Sequence, residues 1–170
     1  MNDGTIRLWG SNEFGQLGDG TLEPRTTPYN PNLTKVKDLF LGEGHTVVLF
    51  EDGTIKVTGR NLYGELGVKS NTNINSFTSV EISGVKTIGT GSNYTIALLE
   101  DGTSRVWGSN ASNELGDNTT TDRLLPTENT NIKGIKIFTG PCSSHSGVLG
   151  EDGVIRAFGN NRYGQLGKNL

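Results

Sequence analysis

The apolar residues of this chain come in short runs. Thr46–Phe50, Thr95–Leu99 and Ser146–Leu149 are too short for helices and are bounded by glycine or polar residues, as buried strands are. Each is followed by an Asp-Gly pair and a second strand-like segment: Thr54–Thr58, Thr103–Trp107 and Val154–Phe158, with an earlier segment of the same kind at Thr5–Trp9. Asp-Gly between two such runs predicts a two-residue hairpin turn with positive φ at both turn residues. Ahead of each pair lie Asp38–Leu41, Thr87–Thr90 and Lys136–Thr139, closed by Gly42, Gly91 and Gly140. A weaker fourth segment follows a glycine-rich loop, near Thr26–Tyr29, Phe77–Ile82 and Leu125–Glu128. In chain order these are strands A, B, C and D of a recurring unit.

The recurrence is measurable. The Asp-Gly pairs begin at Asp3, Asp52, Asp101 and Asp152, spaced 49, 49 and 51 apart, and the glycines closing strand C, at 10, 59, 108 and 159, keep the same spacing. Two independent markers with one period define a tandem repeat. The two extra residues of the last period fall in Pro141-Cys142-Ser143-Ser144, between strands A and B. Gly15, Gly64 and Gly164 share a loop position that Asn113 fills in the third copy, which predicts positive φ there. Leu17, Leu66, Leu115 and Leu166 recur in all copies and are expected to plug the unit's edge. Trp9, Trp107 and Phe158 share a position that Thr58 interrupts.

Composition narrows the partners. Apolar residues make up 32% and there are 25 glycines, which suits many short strands and tight turns. A net charge of −3 with interspersed signs makes neither nucleic acid nor an acidic membrane an expected partner. A single cysteine excludes an intramolecular disulfide framework. No apolar run is long enough to span a membrane and no signal peptide opens the chain. A cytoplasmic location is therefore expected if Met1 is the native start.

Four-stranded units of about 50 residues in tandem predict blades of a β-propeller, an all-β fold. Asp3-Gly-Thr-Ile-Arg-Leu-Trp-Gly-Ser-Asn-Glu-Phe-Gly-Gln-Leu-Gly-Asp-Gly-Thr21 closely resembles the regulator of chromosome condensation repeat, as does Asp152–Gly167. The resemblance implies a seven-bladed ring of four-stranded blades. As one repeat domain, 1–170 divides into blade portions 1–35, 36–84, 85–134 and 135–170, roughly half of such a ring. Thirteen strands are expected from the sequence, against about 28 for a closed seven-bladed ring. Either the chain continues covalently in a longer propeller, or copies associate as a homo-oligomer to complete blades between them.

Catalytic chemistry is thinly supported. Cys142 and His145 stand three apart, but no third group or oxyanion motif accompanies them. His45 and His145 are the only histidines and lack carboxylates at ligand spacing, so no metal and no cofactor is expected. Arg7, Lys56, Arg105 and Arg156 form a column in strand C and are expected to snorkel to solvent. In an alternating meander the A–B and C–D loops share one rim, and there the residue types vary while the frame holds. In the A–B loops the candidate partner-binding residues are Glu43, His45, Asn93, Tyr94, Cys142, Ser143 and His145. In the C–D loops they are Phe14, Tyr63 and Tyr163. Aromatic residues among small polar ones suit a protein partner. The expected function is a non-enzymatic interaction scaffold docking an unidentified protein. Within the resembling family the alternatives are nucleotide exchange on the Ran GTPase, or a structural repeat domain of a larger surface protein.

Overall fold

A computed structural model describes residues 4–167, so Asp3 of the first Asp-Gly pair lies outside the described residues. The described residues contain thirteen strands and no helix. The first sheet pairs β1 (Leu8–Gly10) with β2 (Arg25–Tyr29). The second runs β3 (Val36–Leu41), β4 (His45–Phe50), β5 (Ile55–Gly59) and β6 (Ile74–Ser79). The third runs β7 (Val85–Thr90), β8 (Tyr94–Leu99), β9 (Ser104–Gly108) and β10 (Arg123–Glu128). The fourth holds β11 (Lys136–Phe138), β12 (His145–Leu149) and β13 (Ile155–Gly159). Every pairing is antiparallel between strands adjacent in sequence, and the first strands β3, β7 and β11 adjoin one another. These are blades of a partial β-propeller.

The core lies between the sheets. Val47, Leu49, Ile55, Val57 and Leu66 of the second sheet pack on Val85, Ile88, Ala97 and Trp107 of the third. Tyr94, Ile96, Leu98, Val106, Leu115 and Ile132 in turn pack on Val148 of the fourth. Blades press on both faces of β4 and β8, so every residue of Thr46–Leu49 and Thr95–Leu98 is buried. The usual in–out alternation therefore gives way to continuous apolar runs. Each fully buried Leu, Ile or Val contributes about 1.5–3 kcal/mol from burial.

The hairpin turns differ from the two-residue form. Gly53, Gly102 and Gly153 have φ of 76°, 80° and 74°, while none of the preceding aspartates has positive φ. Gly53 N donates to Phe50 O at 3.0 Å, and Phe50 N to Thr54 O at 3.0 Å. This is a three-residue loop with a left-handed glycine at its end, which needs positive φ only once. The aspartate instead fastens the start of strand C. Asp52 Oδ1 accepts from Thr54 N and Thr54 Oγ1 at 2.9 and 2.7 Å, and Asp101 does the same for Thr103.

Strand limits shift in places. β6 occupies Ile74–Ser79 and not Phe77–Ile82, because Lys56 pairs with Ser79 and Gly59 with Ile74. β1 begins at Leu8, where pairing with Tyr29 starts. β11 stops at Phe138, and Thr139 Oγ1 lies 3.1 Å from the Tyr94 hydroxyl.

Candidate functional site

The rim is built by backbone hydrogen bonds within each blade. Arg60 N donates to Gly44 O, Ser109 N to Asn93 O and Asn160 N to Ser144 O, each at 2.8 Å. The A–B and C–D loops are thereby clasped side by side. The C–D loop holds its own shape through an asparagine at its start. Asn12, Asn61, Asn110 and Asn161 each accept from the backbone N–H of the plug leucine five residues on, at 2.9, 2.9, 2.9 and 3.0 Å. The Asn61 amide donates to Ser70 O and Thr72 O at 2.8 and 3.1 Å. Asn12, Asn61 and Asn110 are fully buried. The only sign of their role in the sequence is the constant Asn-to-Leu spacing, which does not by itself distinguish a loop brace from a surface polar residue.

Positive φ at the third loop position holds in all copies: 83°, 82°, 59° and 76° at Gly15, Gly64, Asn113 and Gly164. At Gly64 the reason extends beyond torsion, since a Cβ would lie 2.6 Å from Leu124 Cδ2 and 2.8 Å from Leu124 Cα. The Thr58 interruption also has a cause. Thr58 Oγ1 lies 2.8 Å from Gly15 O and 2.9 Å from Ile74 O, its single proton placed between the two carbonyls. Gly18 meets the Phe77 ring of β6, whereas Gly67 and Gly116 meet Trp107 and Phe158 of strand C. The aromatic residue has moved from strand C to strand D.

The candidate partner-binding residues divide by burial. His45 and Tyr94 are buried. The His45 ring packs on Gly42 and the Tyr94 ring on Gly91, where an added Cβ would sit 2.0 Å from either ring. His45 Nε2 lies 3.2 Å from Thr95 Oγ1. Burial, aided by the Arg60 charge, lowers the His45 pKa to about 4. Burial raises that of Tyr94. These rings lie at the blade junctions, so their position is one of packing. His145 departs from the pattern: Gly140 has nothing within 4 Å of an added Cβ, and His145, on the last described blade, is only partly buried, whereas Thr95 and Ser146 of the following blades cover His45 and Tyr94. Asn93 is partly buried with Oδ1 enclosed and unpaired. Cys142 is exposed and Ser143 N caps its loop by donating to Gly140 O at 2.9 Å.

Phe14, Glu43 and Tyr63 come together around Arg60, a residue that no motif in the sequence singles out. Its guanidinium lies 5.5 Å from the Phe14 ring centre and 5.8 Å from that of Tyr63, within cation–π range. Glu43 Oε2 is 4.0 Å from Nη1, and the buried Glu65 Oε1 is 3.9 Å from Nε. Both contacts are ion pairs too long for hydrogen bonds. Burial raises the Glu65 pKa, although its other oxygen accepts from Tyr63 N at 2.8 Å. The repeat places Ser11, Ser109 and Asn160 at the Arg60 position, so the guanidinium is no part of the blade's frame. Tyr163 stands apart on the fourth blade, largely exposed, with Arg162 over its ring. Cys142, Ser143 and His145 also lie on that blade and are not brought to the Arg60 cluster.

The opposite rim carries a groove of about 540 Å³ lined by Asp101, Lys133, Asp152 and Arg156 among others, but Arg156 is already engaged by Asp152 at 2.6 Å. Among the described residues no group of three or more His, Cys, Asp or Glu side chains is placed to hold a metal, and no helix is long and apolar enough to cross a membrane.

A model described as the Regulator of chromosome condensation (RCC1) repeat matches residues 3–49, and a second model of that repeat matches 36–65 and 85–114. The chain belongs to the RCC1 repeat family. The fold is similar to that of yeast RCC1 (Prp20) in complex with Kap60, with TM-score 0.80 and 22% identity over 93% of this chain and 40% of that one. Against Prp20p from Saccharomyces cerevisiae the TM-score is 0.81, at 21% identity over 98% of this chain and 43% of that one. Human WBSCR16 gives 0.78 and 19% identity, over 92% and 43%. This RCC1-repeat chain thus spans about two-fifths of the length of those structures. At these identities the likeness is one of fold. A comparison with curated proteins finds no match.

Proposed function

We propose that this RCC1-repeat chain is a non-enzymatic scaffold that binds a partner protein through the A–B and C–D loops of one rim. The observation that carries this reading is the Arg60 cluster. A guanidinium framed by Phe14 and Tyr63 stands on a backbone clasp that needs no particular side chain. Aromatic and arginine residues at the centre of a rigid patch are the usual anchors of protein interfaces. The associations of the structural relatives support the class: Prp20 is described bound to Kap60, and Prp20p with binding properties to Gsp1p and histones.

Affinity capture from the source organism tests the reading, with wild-type protein and with Tyr63→Ala and Arg60→Ala variants of unchanged stability. A partner held by the wild type and released by both variants is the expected result. Retention by both variants overturns the rim assignment. The non-enzymatic part has its own test, nucleotide release from Ran. Acceleration by this chain would replace the scaffold with an exchange factor.

A further inference from the structure

Arg60 carries five N–H donors on its guanidinium, and none of them is hydrogen-bonded among the described residues. Arg123 and Arg156, by contrast, reach aspartates at 2.9 and 2.6 Å, and Arg25 is hydrogen-bonded to Asp19. Nε of Arg60 is enclosed and unpaired, whereas the two terminal nitrogens are unpaired without being enclosed. The terminal edge of the guanidinium therefore faces solvent, although the side chain as a whole is only 18% exposed.

The surroundings hold that edge in place. The Phe14 ring comes from the first blade and the Tyr63 ring from the second. Each residue is pinned through its backbone, Phe14 N donating to Gln16 Oε1 at 3.0 Å and Tyr63 N to Glu65 Oε2 at 2.8 Å. Gly44 makes the room, since a Cβ there would lie 2.8 Å from Phe14 Cδ2 and 3.1 Å from Arg60 Cβ. Behind the guanidinium, Glu65 is fully buried and its Oε1 is also unpaired. In the first and fourth blades the same two positions serve each other: Gln16 Nε2 reaches Ser11 Oγ at 3.5 Å and Gln165 Nε2 reaches Asn160 Oδ1 at 3.3 Å. The second blade alone of these three puts a charged pair there and leaves it short of partners, where buried polar atoms are ordinarily paired. In front stands Glu43, half exposed and no nearer than 4.0 Å to Nη1.

We propose that Arg60 docks a carboxylate of the partner, an acidic side chain or a chain terminus, which takes both terminal nitrogens in place of Glu43. A carboxylate matches that edge with two parallel N–H···O bonds, stronger than neutral ones. The flanking rings and the buried Glu65 fix the guanidinium beforehand, so little ordering remains for binding to supply. Glu43 is then an internal competitor, too loosely held to satisfy the arginine. The proposal rests on the rim reading and adds to it the group that the partner brings.

Proton–nitrogen NMR titration at millimolar peptide tests it, reading the Arg60 Nε–H and Tyr63 N–H resonances. The probes are Gly-Ser-Glu-Ser-Gly capped at both ends, the same capped peptide with Gln or Lys for Glu, and the Gln peptide with a free C-terminal carboxylate. Saturable shifts with the Glu peptide assign an acidic side chain, and shifts with the free-ended peptide assign a terminus. Glu43→Gln is expected to tighten this binding by about two- to fivefold, the worth of one surface charge contact. Arg60→Ser combined with Glu65→Gln recreates the Ser11–Gln16 pair of the first blade, so it keeps the fold, and is expected to abolish the shifts. No shift with either carboxylate, equal shifts with the capped Gln or Lys peptide, or weaker binding in Glu43→Gln overturns the proposal. Release of a captured partner by Arg60→Ala together with such a result keeps the rim reading and removes only the carboxylate.

Discussion

The Tyr94 hydroxyl lies 2.8 Å from Ser146 Oγ, across the junction of the third and fourth blades. It also donates to the His145 carbonyl at 3.0 Å. The same ring that packs on Gly91 therefore ties two blades together. Tyr94→Phe should lower stability by about 1–2 kcal/mol through the lost hydrogen bonds. Tyr94→Ala should cost about 3–5 kcal/mol, since it also leaves a cavity. Urea denaturation of both variants checks the order. Equal stability of Tyr94→Ala and wild type would place the ring outside the core.

Asn61 should behave as a keystone of its loop. Removing its amide in Asn61→Ala strands Leu66 N and the carbonyls of Ser70 and Thr72. The expected loss is about 2–4 kcal/mol, as several backbone groups lose their partner. Hydrogen exchange should show it locally, with protection lost first at Leu66 N.

The pH profile carries a signature of His45. Its pKa falls from 6.5 in the unfolded chain to about 4 in the folded one. Between those values the unfolded chain binds the proton and the folded one does not. Stability is then fully present above pH 6.5 and declines as pH falls towards 4, by about 3 kcal/mol in all. Below that range Asp19 and Asp117, whose pKa values are lowered to about 2, take over the decline. Glu65 works in the opposite sense, because its raised pKa favours folding with the carboxyl protonated. Denaturation midpoints of wild type and His45→Gln across this range isolate the imidazole. Parallel profiles would mean that His45 titrates normally.

On the rim, Tyr63→Ala should change stability by no more than about 0.5 kcal/mol. The Tyr63 ring is exposed and its backbone N–H, bonded to Glu65, survives the substitution. Thermal unfolding decides it, and a loss as large as that of Tyr94→Ala would make the ring a packing residue.

The frame is legible in the sequence because each of its devices recurs. Asp-Gly marks the hairpins, and Asn113 in place of glycine announces a left-handed torsion that the structure shows at 59°. Turn type is not legible, because Asp-Gly suits two hairpin loops and only the Phe50–Thr54 hydrogen bond separates them. Burial is the harder quantity. His45 and Tyr94 sit in a variable loop by sequence, yet their rings turn inward because Gly42 and Gly91 leave room. The sequence shows these glycines only as strand ends, and which way the neighbouring ring turns is decided by the fold. Arg60 escapes detection for the opposite reason: a residue that departs from its repeat leaves no period to find.

The clasp between A–B and C–D loops bears on how such a molecule can change. Its bonds run from the backbone of residues 60, 109 and 160 to the carbonyls of 44, 93 and 144, so arginine, serine and asparagine already occupy one donor position. The clasp itself asks nothing of these side chains, which find different partners: Arg60 lies beside Glu65, while Asn160 Oδ1 accepts from Arg162 N. The residue at this donor position can therefore change in one blade while the backbone bond that holds the two loops together stays.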